Sequence, residues 1–240
     1  MPSLGADIIT KAESFPGIKA GIARLEDILK APSYQVVPDA EWPADLPREG
    51  EMTTWPPEAK SVLVLGLHHP EDNLPLDWWD GDNTMGNRQL MEISDALRQW
   101  VKEEHGLDAL PLPYHVESGG VFLKDAAVMA GLGIVGRSNL LINSEWGPRI
   151  RFRSILIEGE LELTRPLVGF SPCESCGEAC YAACPQNAFS TGAYHRPKCI
   201  AQMNADMANR IPGEEIDENG SPGSIVKYCR ACEFACPVGR

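Results

Sequence analysis

No cysteine precedes position 173 in this 240-residue chain. A secreted domain stapled by disulfides spreads its cysteines through the fold, so the first 172 residues hold no such framework. Long apolar runs are missing too. The longest is Ser61 to Leu67, far short of the ~20 residues that cross a bilayer. Met1 to Phe15 has neither a basic start nor the apolar stretch of a secretory signal. Basic residues are scarce: 21 Lys and Arg stand against 34 Asp and Glu, for a net charge of −13. That disfavours a broad phosphate-binding surface, because affinity for nucleic acid rests on Lys and Arg. No membrane role is expected, and a thiol-reducing, cytoplasmic setting is.

What the chain does have is eight cysteines crowded into its last third. Cys173, Cys176, Cys180 and Cys184 form one run, followed by Pro185. Cys229, Cys232 and Cys236 form another, followed by Pro237, and Cys199 stands alone between them. The bacterial two-cluster pattern is C-x2-C-x2-C-x3-C-P, in which the last cysteine of a run ligates the other cluster. The first run departs from it by one extra residue before Cys180. Zinc ribbons also use C-x2-C pairs, but they explain neither the C-P endings nor a third cysteine after each pair. The spacing predicts two [4Fe–4S] clusters. With the chain crossing over, one takes Cys173, Cys176, Cys180 and Cys236, and the other Cys184, Cys199, Cys229 and Cys232.

Apolar periodicity places the remaining elements. A helix is expected over Leu4 to Glu13, and a strand running into a helical turn over Ile18 to Leu29. Pro32 to Pro57 reads as surface chain. Ser61 to Leu67 is a buried strand by its branched apolar content. Residues 71 to 85 read as a loop. Gly86 to His105 is a helix with Leu90, Ile93, Leu97, Trp100 and Val101 on one face, stopped by Gly106. Ala109 to Val116, interrupted by prolines, suits a sheet edge. Gly120 to Ala130 is helical; Ser138 to Asn143 and Ile150 to Leu163 read as strands. Pro166 to Pro172 is the expected linker, dividing residues 1–165 from a cluster module at 166–240. The acidic, Gly- and Pro-rich stretch Ile211 to Gly223 reads as a solvated loop.

Gly131-Leu-Gly133-Ile-Val-Gly136 satisfies G-x-G-x-x-G, but a dinucleotide site needs a strand before the glycines and a helix after them. Here the order is reversed. A helix C-cap at Gly131 is one alternative; close approach of the backbone to a flat cofactor is another.

The segment Glu117-Ser-Gly-Gly-Val-Phe-Leu-Lys-Asp-Ala-Ala-Val-Met-Ala-Gly-Leu-Gly-Ile-Val-Gly-Arg-Ser-Asn-Leu-Leu-Ile142 resembles the core motif of the epoxyqueuosine reductases. It is similar also to that of the corrinoid-dependent reductive dehalogenases. In those proteins an acid opens the segment, an A-G-L-G-W-x-G-K turn follows, and an apolar strand comes next. Arg137 stands here for the lysine and Ile134 for the aromatic residue. The cysteine spacing with a lone Cys199 is also the family's arrangement. The resemblance runs from Ser61 to Cys236.

It implies an α+β fold: a nitroreductase/flavin-reductase-like α/β sandwich followed by a ferredoxin-like module with two [4Fe–4S] clusters. It implies cobalamin in the first part, with a flavin such as FMN as the alternative. Gly131, Gly133, Gly136, Arg137, Ser138 and Asn139 would line the cofactor. Glu117 falls where the family carries an aspartate proton donor. An external donor such as ferredoxin or flavodoxin would supply electrons, and the substrate would be a small molecule or a partner protein. An activator that reduces a partner's cofactor is the reading without a substrate. A tRNA substrate is disfavoured, because the chain stops at Arg240 without the family's helical-repeat extension and is acidic.

Three further features have plainer readings. His68 and His69 close a strand and suit a satisfied polar cap. Trp78 and Trp79 suit a lid on the core. Arg149, Arg151 and Arg153 alternate along a strand, which suits a solvent-facing charged row, or an anion site for a cofactor's edge.

Overall fold

The computed structural model describes residues 3–36, 54–216 and 222–240. In chain order the elements are α1 (Leu4–Glu13), β1 (Ile18–Arg24), α2 (Leu25–Ile28), α3 (Pro32–Val36), β2 (Ala59–His68), β3 (Trp79–Asp80), β4 (Asn83–Thr84) and α4 (Met85–His105). There follow β5 (Ala109–Pro111), α5 (Leu123–Met129), β6 (Ile134–Val135), β7 (Leu141–Ile142) and β8 (Ile150–Glu158). The last third adds α6 (Ala179–Ala182), α7 (Arg196–Ala208), β9 (Ile211–Ile216), β10 (Pro222–Val226) and α8 (Ala231–Phe234). The chain divides into two compact units, each discontinuous. One comprises Met1–Leu67, Leu90–Gly133 and Phe152–Val168; the other His68–Gln89, Ile134–Arg151 and Gly169–Arg240.

The first unit is built on a four-stranded sheet ordered β1-β2-β8-β5. Alternation along β1 sorts its side chains. Ile18, Ala20 and Ile22 join a core with Ile8 and Ala12 of α1 and Leu90, Ile93, Leu97 and Val101 of α4. On the opposite face Gly21 lies so near α5 that a Cβ there would stand 2.0 Å from the Ala130 carbonyl oxygen. Both faces are covered, so β2 is apolar at every position from Val62 to Leu65, all fully buried. This is why Ser61 to Leu67 is a continuous apolar run rather than an alternating one. Ser3 caps α1, its Oγ accepting from the Ala6 amide at 3.3 Å. Gly106, at φ +71°, ends α4. β5 sits at the sheet edge, as Pro111 favours.

The second unit has little apolar core of this kind. It holds a sheet ordered β4-β3-β10-β9, the β6–β7 hairpin and three helices, α6, α7 and α8. Two expectations are corrected here. The 71–85 segment forms a 3-10 turn at Leu74–Asp77 and the β3–β4 pair. Ile211 to Gly223 is not a loop throughout: β9 and β10 pair antiparallel, and Ile225 and Val226 lie opposite Asp80 and Trp79. β9 and β10 are consecutive strands, whereas β3, the other partner of β10, lies far off in sequence, where local composition could not announce it. The glycines and prolines show instead as a register shift between Pro222 and Ser224. The strand expected at Ser138 to Asn143 shortens to Leu141–Ile142. Most of the expected surface stretch Pro32 to Pro57 lies outside the described residues.

The fold is mixed α/β with mainly antiparallel pairing. Among the described residues no helix is long and apolar enough to cross a membrane.

Candidate functional site

All eight cysteines are free, and all lie in the second unit. Burial raises the Cys180 thiol pKa, and its thiol neighbours in charge are Cys176, Cys236 and Cys173. Cys229 is raised by burial and feels Asp206, Cys184 and Cys199. Cys232 is pushed up to about 12, by burial first and then by Cys229, Glu233, Cys199 and Cys180. These charged neighbours come from both runs and Cys199, and Cys232 feels Cys180 as well as Cys229 and Cys199. Among the described residues no three such side chains converge as a single metal ion requires. Two backbone amides aim at sulfur: Ala188 N donates to Cys184 Sγ at 3.3 Å and Ala231 N to Cys229 Sγ at 3.5 Å. Tyr194 donates to Cys199, and burial together with that thiol raises the phenol's pKa.

The glycine segment is divided between the units. Gly131, in the first, has φ +73° just beyond the end of α5, as a helix C-cap requires. A Cβ there would stand 2.5 Å from the Arg165 carbonyl oxygen, so the chain's own backbone uses the space. Gly133 is buried. In the second unit, a Cβ on Gly136 would press on Ile142 and lie 3.3 Å from Cys173 Sγ. Asn139, at φ +59°, donates its amide to the Gly136 carbonyl at 2.9 Å and tightens the turn. Arg137 pairs with Glu178, both partly exposed, and Ser138 is buried.

Glu117 lies in the first unit, in a 3-10 turn at Val116–Ser118. Its side chain is 22% exposed, and Oε1 stands 3.5 Å from Nδ1 of the more open His115. The turn is held by the Gly119 amide on the Val116 carbonyl at 3.0 Å and by Trp55 Nε1 on the Gly119 carbonyl at 2.6 Å. The glycines after Glu117 do not simply leave open space. A Cβ on Gly120 would meet the Pro113 and His115 carbonyl oxygens at 2.3 and 2.8 Å.

With this geometry in view, similarity to known proteins is informative. No family model matches the chain. A protein of Leadbetterella byssophila is 30% identical over 194 residues, 75% of this chain and 58% of that protein. One of Synechocystis is 28% identical over 213 residues, covering 83% and 69%; one of Cyclobacterium marinum is 29% identical over 157, covering 63% and 46%. Each is named epoxyqueuosine reductase. This chain resembles the epoxyqueuosine reductases. It spans 58% and 46% of the length of the first and third of these relatives. In fold it is similar to the epoxyqueuosine reductase of Streptococcus thermophilus, with a TM-score of 0.66 at 17% identity over 99% of this chain and 66% of that one. A catabolic reductive dehalogenase superposes with a TM-score of 0.55 at 21% identity, over 76% of this chain and 26% of that one.

Sequence reasoning overlooked a buried charged network in the second unit of this reductase-like chain. Asp77 is its hub: Oδ1 lies 2.8 Å from Arg151 Nη2, and Oδ2 lies 2.6 Å from Arg230 Nη1 and 2.9 Å from His69 Nδ1. Glu233 pairs with Arg151 at 2.8 Å and with Arg230. Burial works to raise the Asp77 pKa, but His69, Arg151 and Arg230 outweigh it and hold the carboxyl below its ordinary value. Burial keeps His69 below its ordinary value despite Asp77. His69 is buried just past the end of β2 and set against Asp77, but neither ring nitrogen has a hydrogen bond of good geometry, so it is not the satisfied cap expected; His68 stacks on Trp146 at 4.8 Å. The arginine row is corrected: Arg149 and Arg153 are buried, not solvent-facing. Trp78 lies under the Lys227 ammonium at 3.9 Å, and Trp79 meets Tyr228 edge-on. Nothing local in the sequence marks Asp77, but Arg230 and Glu233 inside the last cysteine run were a signal.

Proposed function

We propose that this protein is a corrinoid-dependent iron–sulfur reductase, with one cluster on Cys173, Cys176, Cys180 and Cys236 and the other on Cys184, Cys199, Cys229 and Cys232. The observation that carries this reading is eight free cysteines in two runs of cluster-ligand spacing, with Cys236 among the charged neighbours of Cys180 and Cys199 among those of Cys229. Thiolates are the ligands such clusters take, and amides directed at sulfur tune them. Clusters and cobalamin, when bound, supply single-electron transfer and reduction at cobalt. Residues 1–165 would serve the corrinoid and 166–240 a ferredoxin-like module, with a nitroreductase-like sandwich as the first part. The corrinoid rests on the resemblance, since the space at Gly131 and Gly136 is used by Arg165 and Ile142. In the first unit, Glu117 and Gly133 are the residues that the resemblance would place against it.

The chain's own chemistry lies in holding protons and ligands. The thiols must lose their protons to bind iron, and burial holds those of Cys180, Cys229, Cys232 and Cys236 on, so loading releases protons and favours neutral to basic pH. Reduction of an organic substrate consumes protons. Glu117 would deliver one from a carboxyl oxygen, and His115, 57% exposed, would restore it from solvent. A ferredoxin or flavodoxin donor and a cytoplasmic setting belong to this reading.

A second reading is favoured by the relatives' names. A similar epoxyqueuosine reductase, with a TM-score of 0.61 at 20% identity over 98% of this chain and 65% of that one, was solved with an epoxyqueuosine-modified tRNA-Tyr stem loop. The expectation against tRNA loses force, and an epoxyqueuosine-bearing stem loop is the first substrate to assay.

Anaerobic reconstitution tests the main reading. About eight irons per chain are expected, and cob(II)alamin should bind with an EPR change towards a base-off form, as the resemblance implies. A stable content near four irons, with no loss in Cys199→Ser, would remove the ligand assignment. Retained flavin with no response to cobalamin would establish the flavin alternative; clusters without either would favour an activator of a partner's cofactor.

A further inference from the structure

Arg149 is 2% exposed. A guanidinium is buried at high cost unless its donors are used. Here they are used on backbone oxygens. Nη1 donates to the Glu233 carbonyl at 3.4 Å, and Nη2 donates to the Val238 carbonyl. Glu71 Oε1 lies 3.4 Å from Nη1 and supplies the opposite charge. The two carbonyls stand on either side of Cys236 in the chain.

Two glycines make this grip possible. A Cβ on Gly147 would fall 2.0 Å from the Val238 carbonyl oxygen. One on Gly239 would fall 2.4 Å from the Trp146 carbonyl carbon and 2.5 Å from the Gly147 nitrogen. Both have positive φ, +59° and +79°, which glycine adopts at little cost. The turn that carries Arg149 is itself pinned. Asn143 Oδ1 accepts from the Glu145 and Trp146 amides at 3.0 and 3.1 Å, and Asn143 and Gly147 exchange backbone hydrogen bonds at 2.8 and 2.9 Å.

We infer that Arg149 is a positioning residue for the cluster that takes Cys236: it fixes the backbone on both sides of that ligand and keeps a positive charge beside that cluster. The inference rests on the two-cluster reading. A fixed positive charge favours the more negative, reduced form of a cluster and so raises its potential. Arginine's planar fork meets two carbonyls at a fixed spacing, which the compact, rotating ammonium of lysine does not impose.

The test uses the full chain reconstituted anaerobically with iron and sulfide, alongside Cys236→Ser, Arg149→Gln and Arg149→Lys. Cys236→Ser identifies its cluster by the EPR signal that changes. Arg149→Gln should lower the potential of that same cluster, by about tenfold in its reduced-to-oxidised ratio, or 59 mV for one electron. Arg149→Lys should keep most of the potential yet release that cluster's iron to a chelator about tenfold faster, the lower end of effects from residues that support a ligand. Unchanged potential and release in the Gln variant, or equal shifts in both clusters, would overturn the role of Arg149 and leave the cluster reading standing. Should Arg149→Gln fail to fold, wild-type iron release in Arg149→Lys overturns it alone. Absence of iron from the unmodified protein would overturn the cluster reading, and this inference with it.

Discussion

The two compact units are held together by different forces. In the first, α1 and α4 cover one face of a sheet and α5 approaches the other, and the centre is Ile, Leu, Val and Ala. In the second, the buried groups include Arg149, His69 and Glu233, with Asp77 and Arg230 nearly so. Apolar burial is non-directional and tolerant of small shifts. A buried ionic network is not, because each charge depends on a partner at a fixed distance. The first unit can therefore fold on its own pattern, whereas the second needs several long-range partners at once, and by the proposed function two clusters as well.

Iron removal should sharpen this contrast most. Chelation should raise amide hydrogen exchange across 169–240 on the order of a hundredfold or more, since metal-coupled folding is worth ~10 kcal/mol in small metallo-domains. Exchange in β2 should hardly change. Equal deprotection of both units, read by mass spectrometry, would erase the distinction.

Single substitutions come next. Asp77→Asn strips a carboxylate from two arginines and should cost about 3–5 kcal/mol in chemical denaturation, with loss of iron retention. Leu65→Ala, at a fully buried position, should cost about 2–5 kcal/mol and leave iron content intact. A Leu65→Ala variant that sheds its iron would show that the units are not separable in this way.

Glu117→Gln belongs to the first unit and should spare both iron content and corrinoid binding. Turnover, once a substrate is in hand, should fall by about a hundredfold, the lower range for a lost general acid. Partial recovery in Glu117→Asp would support the role, and full activity in the Gln variant would end it.

The smallest effect is on pH dependence. His69 has a folded pKa below its ordinary 6.5, so its contribution is complete above 6.5. As pH falls below that, the unfolded chain takes up a proton that the folded one refuses, and stability declines towards the folded pKa. Asp77 acts in the same direction only lower, below its ordinary 3.8. His69→Gln should flatten the stability profile between about pH 7 and 5. An unchanged slope by urea denaturation would remove His69 from the account.

Much of the first unit was legible in the sequence. Leu4–Glu13 matches α1 residue for residue, and the expected helix at Gly86 to His105 starts one residue late. Gly131, at positive φ just after the C-cap residue Ala130, ends α5 much as the reversed G-x-G-x-x-G order suggested. The second unit was legible only in its cysteines. The three arginines at 149, 151 and 153 were read as an exposed row because alternation reports which side chains share a face and not what covers that face.

Taken alone, the sequence determined where the main helices and strands of the first unit lie, since their periodicities are local and repeated, but it ran them too long: the expected 109–116, 120–130 and 150–163 elements shorten to Ala109–Pro111, Leu123–Met129 and Ile150–Glu158. It also determined the two cysteine runs, because ligand spacing is a property of the chain. Tertiary structure decided that β9 and β10 are strands, that Asp77 gathers Arg151, Arg230 and His69, and that Arg149 closes on the carbonyls around Cys236. Apart from the pairing of β9 with its neighbour β10, each of these depends on a partner far away in the chain, and an ion pair or strand pairing has no period from which its partner can be read.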